Sequence, residues 1–201
     1  MMQRGADFAV CPTVRGLMPG QHFQEVLQTI EAAVTQSRES LVSLSEASPV
    51  LLVFLRHAGC TFCREALGDI ARARGDIEGT GARIVLVHMG DSEAIVKLLR
   101  KYGLCGVDRI CDREQKLYRA FGLKRGRLWQ LFGPRVFWRA LQAGVLSRHG
   151  IGRLSADGFQ MPGLFLIGDS GMVRRFRHRT AADRPDYAGI CAALARSAEA
   201  V

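Results

Sequence analysis

Two short and almost continuously apolar runs limit the folds open to this chain, because they predict buried strands. They are VLLVFL (50–55) and RIVLVHM (83–89). Strands that are apolar on both faces are typical of a parallel sheet covered by helices on each side. Between the runs, residues 62–74 carry apolar side chains at helical spacing, and the pattern ends in the glycine-rich stretch 75–82. The sequence therefore predicts a βαβ unit at the centre of an α/β protein.

Further elements are predicted on both sides of this unit. Before it, apolar residues recur at helical spacing from Gln21 until Pro49, which predicts one N-terminal helical extension. After it, the pattern predicts a helix over 91–103 with Asp91 as N-cap, a strand over 108–111, a helix over 114–122, a hairpin of 163–167 and 172–178, and a helix from about Pro185. The order βαβ, helix, ββα is that of a thioredoxin-like fold with a central mixed sheet.

Two regions fall outside that order. Residues 1–20 are predicted to form a flexible leader, and residues 21–201 a single thioredoxin-like domain. Residues 124–152 are predicted as a basic, amphipathic helical insertion that is broken near Gly133 and Pro134. Its aromatic residues are expected to lie buried beside the core, the alternative being a lid or a subunit contact over the active site: Trp129, Phe132, Phe137 and Trp138.

Cys60 and Cys63 form a CxxC motif where the first predicted strand leads into the first helix of the βαβ unit. A helix N-terminus offers unpaired backbone N–H groups and a partial positive charge, and both stabilise an anion. A thiol in this position can have a pKa of roughly 3.5–7.5, and its thiolate is the reactive species. Arg56, His57 and Arg64 add positive charge nearby. The motif predicts redox chemistry.

The spacing predicts different roles for the two cysteines. Residues i and i+3 lie one helical turn apart, with Cα atoms about 5 Å from each other, which is within the range of a disulfide. Cys60, at the exposed helix end, is predicted to attack the substrate. Cys63, being less accessible, is predicted to close the Cys60–Cys63 disulfide.

Other uses of the cysteines stay open at this point. A structural zinc site could combine the CxxC pair with Cys105 and Cys111, although their x₅ spacing is wider than usual. Cys60 and Cys63 could also be inert core residues. Cys105 and Cys111 are otherwise expected to pack in the interior, the alternative being an auxiliary thiol pair. Cys191 is expected to pack in the core on the apolar face of the last helix. Cys11 has no visible partner.

Hydropathy and charge predict the surroundings of the protein. No segment reaches about 18 apolar residues and the first twenty residues lack a signal-like apolar core, so a cytoplasmic protein without a membrane partner is expected. The net charge of +9 comes mostly from dispersed arginines, which is typical of a solvated surface and makes nucleic acid an unexpected partner. The alternative is a redox-switched module whose basic surface binds nucleic acid or an acidic partner.

Several motifs resemble the peroxiredoxin-like proteins of the AhpC/TSA group, close to the bacterial relatives of selenoprotein L. The resemblance runs from about residue 50 to 195 through VFLRHAGCTFCRE, CDREQKLYRAFGL, LWQLFGP, GFQMPGLFLIGDSG and FRHRTAADRPDY. It implies an antioxidant enzyme with a thioredoxin-like fold, redox residues at Cys60 and Cys63, and a cis-proline at Pro162 packed against the pair. The expected partners are a thiol reductant of the thioredoxin or glutathione type and a disulfide or hydroperoxide substrate. No cofactor or metal is predicted.

The chain departs from typical peroxiredoxins close to Cys60. Those proteins carry a proline seven residues and a threonine three residues before the peroxidatic cysteine, where this chain has Val53 and His57. They also use an arginine roughly where Pro162 lies here. His57 is therefore a candidate hydrogen-bond donor to the thiolate or to a peroxide oxygen. The alternative for His57 is a loop residue that caps backbone groups.

Overall fold

The computed structural model describes residues 21–127, 138, 157–168, 171–180 and 182–192. The helices and strands of this part follow in chain order: α1 (Gln21–Glu31), α2 (Leu41–Ala47), β1 (Val50–Phe54), α3 (Thr61–Gly79), β2 (Arg83–His88), α4 (Ser92–Lys101), β3 (Asp108–Cys111), α5 (Lys116–Ala120), β4 (Gly163–Gly168), β5 (Gly171–Arg177) and α6 (Tyr187–Cys191).

The strands form a mixed sheet in the order β3-β2-β1-β4-β5. β1, β2 and β3 are parallel to one another, whereas β4 runs antiparallel to both β1 and β5. The predicted βαβ unit is therefore β1, α3 and β2, and the predicted hairpin is β4 and β5. The β1 strand lies at the centre of the sheet, so the chain leaves its end from a position that is held by neighbours on both sides.

The alternation of side chains along β1 divides the core into two layers. Leu51 and Val53 face the layer that contains α3, α4 and α6, while Leu52 and Phe54 face the layer that contains α2 and α5. Successive residues of a strand point to opposite faces, and here helices cover both faces. This two-sided covering explains why β1 is apolar at every position. The chain then passes through a short loop after β1 to the start of α3.

The single N-terminal helix predicted up to Pro49 is wrong, because the chain folds there into α1 and α2 with a turn between them. Val34 and Ser40 form an isolated β-bridge, and Ser40 caps α2 by accepting a hydrogen bond from the Ser43 N–H (3.0 Å). The turn meets the edge of the sheet: the Gln36 N–H donates to the Arg109 carbonyl (3.0 Å) and the Arg109 N–H to Gln36 Oε1 (2.6 Å). Pairing with the edge strand β3 thus outweighs local helix formation.

Two other boundaries differ from those predicted. α3 continues through the stretch 75–79, where the glycines predicted an end, since the buried Ile77 still packs in the core. α6 begins at Tyr187, two residues after Pro185, because the Asp186 side chain caps it by accepting from the Gly189 N–H (2.9 Å). The predicted N-cap Asp91 and the strand Asp108–Cys111 are confirmed.

The cysteines outside the CxxC motif are distributed differently from the prediction. Cys191 is fully buried in the core, as expected. Cys105 and Cys111, which were expected to pack inside, are both exposed, because they lie on the turn after α4 and at the end of an edge strand. Cys11 belongs to the predicted leader 1–20, which lies outside the described residues.

The predicted insertion 124–152 lies mostly outside the described residues, and with it the leader 1–20 and the positions Trp129, Phe132 and Phe137. Trp138 is described, and its side chain is 61% exposed, so the prediction that it is buried is wrong. None of the helices in the described ranges is long and apolar enough to cross a bilayer.

Candidate functional site

The CxxC motif lies at the start of α3, after a short loop that follows β1. Cys60 is the N-cap residue of α3 and Cys63 lies in the first turn. The Cys60 N–H donates to the His57 carbonyl (3.0 Å), which closes the loop. The Cys60 and Cys63 thiols lie close enough to shift each other's pKa, so the structure brings the predicted pair together.

Both cysteines are buried, and the prediction that Cys60 is exposed at the helix end is wrong. The exposed fraction is 7% for Cys60 and 4% for Cys63. The physical reason is a long-range contact: the Arg56 guanidinium lies against Cys60 and also donates a hydrogen bond to the Gly158 carbonyl. Met161, which follows in the same segment, packs against Phe62 of α3. The segment just before β4 therefore closes over the helix end.

Arg56 is the residue that contacts both sulfurs. Its Nη1 lies 3.6 Å from the Cys60 Sγ, and its backbone N–H donates to the Cys63 Sγ at 3.2 Å. The side chain is 7% exposed, and its Nε has no hydrogen-bond partner within the described part of the chain. The sequence indicated Arg56 only as one of three nearby positive charges, because nothing in the spacing shows that this side chain folds back onto the cysteine.

The surroundings of the two sulfurs move their pKa values in opposite directions. The hydrogen bond from Cys63, the positive charge of Arg56 and the N–H groups of Cys63 and Phe62 together lower the pKa of Cys60 to about 6, against the effect of burial. For Cys63, the same hydrogen bond to Cys60 and the burial of its thiol raise the pKa well above its ordinary value. At neutral pH the pair therefore consists of a Cys60 thiolate and a Cys63 thiol.

His57 lies in the loop next to Arg56 and is 5% exposed. Burial, together with the positive charge of Arg56, lowers the pKa of its ring to about 4, so the ring is neutral at physiological pH. Its Nδ1 is buried without a hydrogen-bond partner in the described residues, whereas its carbonyl accepts the Cys60 N–H. The contacts that the structure describes for His57 are thus those of a residue that shapes the loop.

Pro162 is buried and lines the same cleft as Cys63. The prediction of a cis-proline is wrong: no cis peptide bond occurs in the described residues, which include both Met161 and Pro162. The bond before Pro162 is trans, which is the form of lower energy for a peptide bond before a proline. The next residue, Gly163, begins β4 in extended form, paired with Phe54 of β1.

The cleft beside Cys63 encloses about 470 Å³, counting the space open to solvent. Its wall includes Cys63 but not Cys60, together with apolar groups from α3, β4 and α6 such as Phe62, Leu164 and Tyr187. At its rim, Arg184 forms ion pairs with Asp69 (2.5 Å) and with the buried Glu65 (3.5 Å). These pairs hold the segment before α6 against α3 at the edge of the cleft.

The structure gives no support to the zinc alternative. Within the described residues, no three or more His, Cys, Asp or Glu side chains come together in a way that could hold a metal ion. Cys105 and Cys111, which would have completed a site with the CxxC pair, are exposed on the surface.

Comparison with known proteins adds three findings. Residues 69–182 match the family model described as AhpC/TSA antioxidant enzyme, a match that begins after both cysteines of the CxxC motif. The chain is 29% identical over 161 residues to a prostamide/prostaglandin F synthase of Danio rerio, covering 78% of this chain and 79% of the relative. It is 27% identical over 176 residues to a protein of the same name from Sus scrofa, covering 85% of this chain and 86% of that one.

Among solved structures, the bacterioferritin comigratory protein of Xanthomonas campestris superposes with a TM-score of 0.60 at 15% identity, over 86% of this chain and 95% of the other. A secreted disulfide oxidoreductase of Mycobacterium tuberculosis superposes with a TM-score of 0.52 at 14% identity, over 84% and 98%. These similarities confirm the predicted thioredoxin-like fold. The protein is a peroxiredoxin-like, thiol-based oxidoreductase, and the chain belongs to the AhpC/TSA antioxidant enzyme family.

Proposed function

We propose that this protein reduces hydroperoxides through a Cys60–Cys63 disulfide, with Cys60 as the attacking thiolate and Cys63 as the resolving thiol. The observation that carries the proposal is the position of the Cys60 sulfur, which is buried at the N-terminus of α3 and 3.6 Å from the Arg56 guanidinium. The positive charge, the helix N–H groups and the Cys63 thiol all favour the thiolate, the form that attacks an O–O bond.

In the first step, the Cys60 thiolate attacks the terminal oxygen of the hydroperoxide. The S–O bond forms as the O–O bond breaks, so Cys60 becomes a sulfenic acid, the peroxide gains two electrons, and an alkoxide leaves and takes a proton from solvent. Negative charge develops on the leaving oxygen in a site with little water, where a fixed cation stabilises it strongly. Arg56 is in place for this role, and its Nε has no other hydrogen-bond partner in the described part of the protein.

In the second step, Cys63 loses its proton and attacks the Cys60 sulfur. The S–S bond forms as the S–O bond breaks, and the departing hydroxide takes up the proton to leave as water. The mutual influence of the two thiols supports this step, because residues three apart at a helix start lie within the range of a disulfide.

In the third step, a cellular thiol of the thioredoxin or glutathione type reduces the disulfide. Its thiolate attacks Cys63, which lines the cleft, and expels Cys60 as a thiolate; a second thiol then releases Cys63 and leaves with the first as a disulfide. The lower pKa of Cys60 supports this direction, because the more stable thiolate is the better leaving group.

The burial of Cys60 favours a peroxide over a protein disulfide as the oxidising substrate. A Cys60 sulfur that is 7% exposed is reached more easily by a small peroxide than by a disulfide of another protein, which must approach in line with the attacking thiolate. The reductant of the third step does not meet this restriction at Cys60, because it attacks Cys63 through the cleft. The curated relatives are named prostamide/prostaglandin F synthases, and the apolar wall formed by Phe62, Leu164 and Tyr187 supports testing prostaglandin-type lipids as substrates as well.

We place this reaction in the cytoplasm. This proposal is supported by Cys105 and Cys111, which are exposed and form no disulfide within the described residues, because a reducing compartment preserves such thiols.

The proposal is tested by mixing the reduced protein in a stopped-flow apparatus with hydrogen peroxide, with cumene hydroperoxide or with an oxidised protein disulfide. We expect fast oxidation by the peroxides, loss of this reaction in Cys60→Ser, and a single turnover that stops at the sulfenic acid in Cys63→Ser. Cys111→Ser is the matched control, because it removes an exposed cysteine away from the pair and should react like the wild type. Equal rates for wild type and Cys60→Ser would eliminate Cys60 as the nucleophile, and faster reaction with the disulfide would make the protein a disulfide reductase instead.

A further inference from the structure

Tyr118 of α5 is a fully buried residue with a hydroxyl group directed at two strand ends. The hydroxyl donates to the Leu55 carbonyl, just beyond β1, and lies within hydrogen-bond distance of the Val87 carbonyl of β2 (3.1 Å). The ring packs edge-on against Phe54, with 4.9 Å between the ring centroids. Both sides of the residue are therefore held by the sheet, and the direction of the O–H bond is restricted.

The Leu55 carbonyl and the Arg56 N–H belong to the same peptide group. This group is planar, so a hydrogen bond that fixes the C=O also fixes the direction of the N–H on its opposite side. That N–H donates to the Cys63 sulfur at 3.2 Å. One peptide group thus links the Tyr118 hydroxyl to Cys63, and a donor on the carbonyl oxygen strengthens the N–H as a donor in turn.

We infer that Tyr118 is a positioning residue for Cys63: through the Leu55–Arg56 peptide group, its hydroxyl holds and strengthens the N–H that stabilises the Cys63 thiolate when Cys63 resolves the oxidised Cys60. The inference rests on the proposed function for its meaning in the reaction cycle. The contacts among Tyr118, this peptide group and Cys63 stand independently of it.

The Arg56 N–H is placed to bind Cys63 both as a thiol and as a thiolate. A sulfur that accepts the Arg56 N–H directs its own hydrogen away from that N–H. Once Cys63 has lost its proton, the same N–H faces a thiolate and binds it more strongly, as hydrogen bonds to charged acceptors do. Burial keeps the pKa of Tyr118 well above its ordinary value, so its hydroxyl remains a donor throughout the working pH range.

The test measures the pKa of Cys63 in a Cys60→Ser background, from the pH dependence of its alkylation followed by peptide mass spectrometry. We expect Tyr118→Phe to raise the pKa of Cys63 by about half a unit to one unit, because the lost hydrogen bond acts on Cys63 only through the Leu55–Arg56 peptide group. Introducing 3-fluorotyrosine at position 118, which makes the hydroxyl a stronger donor without adding bulk, should lower the pKa; this second variant also serves if Tyr118→Phe does not fold. Thr80→Val, which removes a hydroxyl-to-carbonyl bond of 2.7 Å at the far end of α3, should leave it unchanged.

A second measurement follows the full cycle. In Tyr118→Phe with both cysteines present, the sulfenic acid on Cys60, trapped with dimedone, should persist about three to ten times longer, while the initial oxidation rate stays within about twofold of the wild type. A Cys63 pKa that is the same with tyrosine, phenylalanine and 3-fluorotyrosine at position 118 would overturn the inference. Failure of the wild type to react with peroxide would refute the proposed function alone, because the titration of Cys63 does not depend on peroxide.

Discussion

Replacing Arg56 with methionine tests the site most directly, because it removes the guanidinium while keeping a long apolar side chain. The Arg56 Nη1 lies 3.6 Å from the Cys60 Sγ, and both groups are buried, so solvent screens the interaction weakly. A hydrogen bond to a charged group contributes about 1.5–3 kcal/mol, which corresponds to about one to two pKa units. We therefore expect the pKa of Cys60 to rise from about 6 to about 7–8 in Arg56→Met.

This shift has a defined kinetic consequence. At pH 7 the thiolate fraction of Cys60 falls from about 90% to roughly 10–50%, so protonation alone slows peroxide reduction by about two- to tenfold. Raising the pH above 9 restores this part of the rate. Any deficit that remains at high pH measures the loss of charge stabilisation at the leaving oxygen, for which a single removed donor costs about 10²-fold or more.

The assay is the pH dependence of Cys60 alkylation, read by peptide mass spectrometry so that Cys105 and Cys111 do not contribute, together with the rate of peroxide reduction between pH 5 and 10. Arg72→Met is the matched control, since it removes an equal charge from an exposed position on α3. An Arg56→Met protein whose Cys60 pKa stays within about 0.3 unit of the wild type would refute the assignment of Arg56.

Three further outcomes are expected. The His57 ring, with a pKa of about 4, stays neutral between pH 5.5 and 8. The pH profile of the peroxide reduction rate should therefore have the same shape in His57→Asn as in the wild type over this range. An inflection that is present in the wild type and absent from His57→Asn would contradict the neutral ring. Arg184→Gln removes one partner of the buried Glu65, and urea titrations should show a free energy of unfolding that is lower by about 1–2 kcal/mol. The effect stays small because Arg184 is half-exposed. Arg175→Gln, at an exposed site, is the control and should change the free energy of unfolding little. Cys191→Ser buries a hydroxyl in the core and should lower the free energy of unfolding by about 1–3 kcal/mol, while the folded variant keeps the activity of the wild type. A folded variant without activity would instead give Cys191 a role in the reaction.

The role of Arg56 changes the comparison with typical peroxiredoxins. The sequence has Val53 and His57 at the positions where those proteins carry a proline and a threonine, and Pro162 where an arginine is expected. The structure supplies a guanidinium from the loop after β1 instead, in contact with the Cys60 sulfur. The charge needed to stabilise a thiolate is thus present, although it comes from a different part of the chain.

The sequence alone determined the features that depend on local physical chemistry. The strands β1 and β2 could be predicted because a strand with helices on both faces is apolar at every position, and such a run is visible without knowledge of its neighbours. The pairing of Cys60 with Cys63 could be predicted because a spacing of three residues brings two side chains together on any helix. Asp91 could be predicted as an N-cap for the same reason, since a cap contacts only residues that follow it directly.

Only the tertiary structure decided the features that depend on residues distant in the chain. Cys60 is buried because Arg56 and the segment around Gly158 meet above it, a contact between residues about one hundred positions apart. The N-terminal helix is interrupted because Gln36 pairs with the edge strand at Arg109, and the hydroxyl of Tyr118 reaches the peptide group before Arg56 through the packing of α5 on the sheet. Each of these contacts joins residues that are far apart in the sequence, and no repeating pattern of residues predicts such a contact. The contact stabilises the protein only after the sheet has brought the two groups together.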